Sequence, residues 1–143
     1  MAGKLKLRAV DDEDLAVLSA ILQDALLAVG DMALLPEEGR FVLVANRFRW
    51  ERPAAERGER FERTLVGIAF DRVTGVRRRG FSPAQHDRML HLLALRAMPG
   101  AILIELSGGA GIRLEVDGIL CHLEDLGEPW PTSWRPRHPV EPA

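Results

Sequence analysis

From Ile112 to Asp117 apolar and polar residues alternate. Ile112, Leu114 and Val116 fall on one side of an extended backbone, and Arg113, Glu115 and Asp117 on the other. A period of two marks a strand with one buried and one wet face. Apolar runs flank it at residues 101–106 and 119–126, separated by Ser107-Gly-Gly-Ala-Gly111 on one side and Asp117-Gly118 on the other. Glycine reaches the positive φ that tight turns require, and Asp-Gly between alternating runs is a two-residue hairpin signal. The pattern predicts a three-stranded antiparallel meander.

Upstream, residues 4–10 set Leu5 and Leu7 against Lys6 and Arg8, as in a short strand. Asp11 to Asp14 then offers N-cap oxygens and negative charge for a helix start. Leu15, Leu18, Leu22, Ala25, Leu26 and Val29 recur at three- and four-residue spacing. They predict an amphipathic helix of about four turns, closed by Gly30. Residues 31–35 read as a strand before the turn at Pro36–Gly39. Residues 40–51 read as another, apolar on both faces at first, then placing Arg47 and Arg49 opposite Phe48 and Trp50.

Residues 52–62, with Pro53, Gly58 and many charges, read as an exposed loop. Two strands follow at 64–70 and 73–79, meeting at a short turn around Asp71-Arg72. Residues 82–98 carry two readings. Ser82-Pro83-Ala84-Gln85 is a capping box with proline at the first helical position. It starts either one helical turn near Pro83–Arg88 followed by a strand at 90–97, or a continuous helix from Pro83 to Met98. After Leu126 periodicity stops: residues 127–143 hold five prolines, Trp130 and Trp134, an extended tail.

The expected fold is α+β: a single domain over residues 1–126 and a tail over 127–143. Its core is one strongly curved antiparallel sheet of about seven strands, curling toward a barrel, with the N-terminal helix packed on it. Short connections predict mostly sequential strand neighbours. A chain of 143 residues is long enough to bury a core without disulfides or metals. The 47% hydrophobic and 28% charged composition argues against disorder. A net charge of −2 provides no general field for nucleic acid or an anionic membrane. The lone Cys121 fits a reducing cytoplasm, and the first ten residues show no apolar signal core.

The strings Phe41-Val-Leu-Val-Ala-Asn-Arg-Phe-Arg-Trp-Glu51 and Gly108 to Trp130, with Leu5-Lys-Leu7 and Asp12-Glu-Asp-Leu15, are distinctive. In these the chain resembles a bacterial family, Domain of Unknown Function 2948, over about Leu5 to Arg137. The resemblance implies a small cytoplasmic bacterial protein and carries no activity, cofactor, partner or catalytic residue with it.

Among the residues themselves, arginine is the first candidate. Arg47 and Arg49 share a strand face, as do Arg77 and Arg79. If those strands are neighbours, four guanidiniums form a patch suited to phosphate or carboxylate, with Trp50 as a stacking surface. The plain alternative is a solvated face neutralised by nearby glutamates. Cys121 and His122 are adjacent on a strand and point apart, which excludes a compact shared metal site. The 107–111 glycines precede a strand and so make a hairpin, not a phosphate loop. Glu124 and Asp125 are adjacent on a strand and face opposite ways, and Glu105 and Glu115 near Arg113 read as an exposed cross-strand charge ladder, not an acid/base pair. Trp130 is expected to fold back over the end of the sheet, and Trp130, Trp134 and Trp50 are the candidates for docking a partner.

No catalytic, metal or cofactor constellation emerges. The expected function is a cytoplasmic, non-catalytic binding or adaptor module for a protein partner or small anion. The alternative is an enzyme that holds an anionic substrate on the arginine patch.

Overall fold

The computed structural model describes residues 5–48, 61–127 and 130–132. Asp11 caps the one helix among them, α1 (Asp12–Ile21): its carboxylate accepts the Asp14 N–H at 2.8 Å, and Asp12, Glu13 and Asp14 oppose the helix dipole. Leu15, Leu18 and Leu22 are buried. The helix is shorter than its apolar spacing predicts. Asp24 takes φ +64, a left-handed turn that aspartate tolerates, and gives its N–H to the Leu92 carbonyl at 2.9 Å. Ala25 to Ala28 therefore continue as a strand, and Gly30 ends no helix. A short apolar run suits either conformation, and here strand pairing decides.

The strands in chain order are β1 (Lys6–Ala9), β2 (Ala25–Ala28), β3 (Met32–Leu35), β4 (Arg40–Phe48), β5 (Phe61–Phe70), β6 (Val73–Arg79), β7 (Met89–Met98), β8 (Ala101–Leu106), β9 (Gly111–Val116), β10 (Cys121–Asp125) and β11 (Trp130–Thr132). They form one antiparallel sheet in the order β1-β10-β5-β4-β2-β7-β8-β9-β6, with β3 on β4 and β11 on β5. The expected α+β class with about seven strands is thus corrected: eleven strands and a single short helix make the described residues mostly β. The sheet also does not close into a barrel, because its end strands β1 and β6 do not pair.

It does fold over on itself. Between β4 and β2 the only paired residues are Leu26 and Asn46, so the sheet is nearly split into two halves there. Phe70 and Val73 belong to opposite halves yet lie three residues apart, a span of about 11 Å at most. Apolar residues of both halves and of α1 join one core cluster.

Two connections read as hairpins are crossings between the halves. β5 and β6 do not pair, and β10 pairs with β1 and β5 rather than with β9. The two crossings lie side by side. Asp71 N–H bonds Leu120 O at 2.8 Å, and Asp117 N–H bonds Arg72 O at 2.9 Å. Arg72 and Gly118 both take positive φ, so Asp-Gly marks a real turn whose exit leads to another strand. The three-stranded meander is reduced to the β8–β9 hairpin. At 82–98 the strand reading holds from Met89 onward, while residues 83–88 form turns in place of the expected helical turn. One capping-box bond forms, Ser82 N–H to Gln85 Oε1 at 2.8 Å, but Ser82 Oγ accepts the Ala84 N–H at 3.2 Å and the Gln85 N–H goes to the Ser82 carbonyl at 2.9 Å. Yet β7 follows in place of a helix.

Candidate functional site

Strand alternation puts Arg77 and Arg79 of β6 on the outer face of the sheet and Arg78 on the other; all three are exposed. Register then decides what they meet. Arg77 lies opposite Arg113 of β9, which lies opposite Leu103 of β8, which lies opposite Arg96 of β7. The next row runs Arg79, Gly111, Glu105, Ala94. Because Gly111 has no side chain, the surface dips beside Arg79; a Cβ there would sit 3.4 Å from Arg79 Nη2. The result is a groove of about 310 Å³ lined by Arg77, Arg79 and Arg113, with Leu103 and Glu105 among its other walls.

The groove face carries more positive than negative charge. Arg96 Nε bonds Glu105 Oε2 at 2.8 Å and Arg113 Nε bonds Glu115 Oε2 at 2.6 Å. Arg79 Nε donates to the Gly109 carbonyl at 3.3 Å. Two carboxylates thus answer four guanidiniums, and Arg77 has no ion pair among the described residues. Several arginine forks around one depression suit a phosphate or carboxylate.

The four-arginine patch is not assembled as expected. Arg47 is 0% exposed. Its Nε and Nη2 hold Asp125 Oδ1 and Oδ2, each at 2.9 Å, while Nη1 donates to Phe48 O. Strand β4 is also no neighbour of β6. The pair had a sequence signal: Arg47 shares its parity with Phe41, Leu43 and Ala45, and Asp125 shares its own with Cys121 and Leu123. All of these are buried. Opposite charges on the inward parity of two strands are candidates for each other. Arg49, Trp50 and Trp134 lie outside the described residues. Trp130 begins β11, whose backbone pairs with Arg63, Glu62 and Phe61 of β5.

Sequence alone places Arg113, the residue that makes the groove, only on the wet face of an alternating strand. Alternation shows that it is wet, but not that β6 is its neighbour. Two further features were not foreseen. Arg63, 3% exposed, stacks its guanidinium 3.7 Å from the Phe48 ring centre and donates to the Asn46 backbone and side-chain oxygens. Burial pushes its pKa down to about 10, partly offset by Asp24. At the crossings, Asp71 holds Arg40 Nε at 2.7 Å and His122 Nδ1 at 3.2 Å. Cys121 is buried on the face opposite His122, and its thiol is pushed up to about 12 by burial and by Asp71. Among the described residues no three His, Cys, Asp or Glu side chains converge as metal ligands. No described helix is long and apolar enough to cross a membrane.

Fold and groove together define a mostly-β protein with a cationic face. Its sequence matches the family described as Protein of unknown function (DUF2948) over residues 5–138, and the chain belongs to that family. No curated protein and no solved structure matches it.

Proposed function

We propose that the protein is a non-catalytic binding module that takes an anionic group in the β6–β9–β8 groove. The observation that carries this reading is the Arg77–Arg113 cross-strand pair. Two like charges directly opposite each other destabilise a sheet unless something neutralises them. Glu115 serves Arg113, and an incoming phosphate or carboxylate would serve Arg77 and Arg79. The lining side chains favour binding over chemistry. They supply no hydroxyl, thiol, amine or imidazole, and Glu105 is engaged by Arg96.

The test is a thermal melt at low ionic strength with added sulfate or phosphate. An anion at tenfold its Kd adds about 1.4 kcal/mol, a rise of about 4 °C for a chain of this length. The triple variant Arg77→Gln, Arg79→Gln, Arg113→Gln should show no rise while keeping its fold. No rise in the unaltered protein, or an equal rise in the variant, would refute the assignment.

A further inference from the structure

We infer that the anionic partner is an extended acidic peptide of another protein, which adds a strand to the edge of β6 opposite β9. The inference rests on the groove's being an anion site and names what fills it. Among the described residues β6 is the last strand of its half-sheet and pairs only with β9. At its start, Val73 N–H is taken by Gly39 O at 2.9 Å. From Thr74 to Arg79 no backbone partner other than β9 exists among the described residues. The chain that follows does not turn back over this edge. His86 and Arg88 instead give their carbonyls to Gly30 and Val29. Such an edge presents a row of main-chain donors and acceptors, the template that strand addition uses.

The side chains decide which strand can dock. Arg77 and Arg79 rise on the groove side and Arg78 on the other, so the edge is cationic on both faces. A second copy of this edge would set arginine against arginine and be repelled. In a paired strand, each residue's Cβ lies about 4.5–5.5 Å from the one opposite. Three consecutive acidic residues would therefore face Arg79, Arg78 and Arg77 in turn. Main-chain bonds would supply affinity and the arginine row would choose the sequence.

The probe is a fluorescent peptide of alternating Thr and Val around a central Glu-Glu-Glu, titrated at low salt against the whole protein. Residue-resolved amide exchange is followed in parallel. Binding is expected, with added protection at alternate amides between Thr74 and Arg79. The exposed-site variant Arg77→Glu, Arg79→Glu should weaken it by about tenfold or more, as loss of about two charge-assisted contacts implies. The same peptide N-methylated at alternate backbone nitrogens should lose binding on its pairing edge. Equal binding of the methylated peptides, or binding without β6 protection, overturns strand addition. So does β6 protection that grows with protein concentration alone, which would make a second copy the occupant. A sulfate-dependent rise in Tm without peptide binding overturns this inference and leaves the anion site standing; absence of both removes both.

Discussion

Replacing Asp125 with alanine should be among the most damaging single changes available in this protein. The carboxylate receives two bonds from Arg47, each 2.9 Å, and a third from the Leu5 N–H at 2.9 Å. Removing it takes both of these bonds from a guanidinium with 0% exposure. Breaking a buried ion pair from one side costs about 3–5 kcal/mol, and the abandoned Leu5 N–H adds about 1 kcal/mol. The sum, about 4–6 kcal/mol, is comparable with the whole stability of many domains. The pair itself need not be stabilising, because both ions were stripped of water. Hence the double variant Arg47→Met, Asp125→Leu should recover most of the loss. Urea unfolding followed by circular dichroism gives each free energy, and the cycle gives the coupling. An Asp125→Ala loss under about 1 kcal/mol would show that water reaches Arg47. A double variant no better than the single one would show that the site tolerates no apolar pair.

Two other outcomes follow from the same core. Because burial raises the Cys121 thiol from its usual value to about 12, the native state holds a proton there that the unfolded chain gives up above about pH 9. Stability should fall as pH rises from about 9 toward 12. Urea titrations at pH 8 and pH 10 should show a smaller fall in Cys121→Ala than in the unaltered protein; equal falls would refute the assignment. Truncation after Gly127 should lower stability by roughly 1–3 kcal/mol relative to truncation after Thr132, since only the former removes β11 and its main-chain bonds; equal melting temperatures would show that β11 contributes nothing.

What the sequence disclosed was local. Period-two alternation located β9 and assigned its wet and dry faces, because a strand with one buried face must alternate. It also misled where local patterns are degenerate. Leu22, Ala25, Leu26 and Val29 keep helical spacing, and Ala25–Ala28 still become a strand, since their main-chain bonds to β7 outweigh the extra turns of helix. The capping box at Ser82 forms one of its two bonds and nucleates no helix, because one turn does not offset what strand pairing offers β7. Partner choice was the least legible. Asp71-Arg72 and Asp117-Gly118 have hairpin chemistry, but a bend does not say which edge the next strand will find. Here the two bends hydrogen-bond each other, so each depends on a segment about 45 residues away.

The candidate site inherits that division. Arg47 and Arg77 look alike in sequence, each beside an apolar residue on a strand with another arginine two positions on, and they end in opposite environments. Parity separates them: Arg47 continues the inward row of Phe41, Leu43 and Ala45, whereas Arg77 continues no buried row. An inward arginine must be matched inside the fold, and Asp125 matches it. An outward arginine can be matched by water at little cost, so pairing it with Arg113 carries only a modest penalty. That penalty is nonetheless avoidable, since an acidic residue at position 77 would turn a repulsion into an attraction. The sheet keeps three consecutive cations on a strand edge that has no covering segment among the described residues. That charge would repel a second copy of the edge and, under the proposed strand addition, would favour an acidic strand in its place.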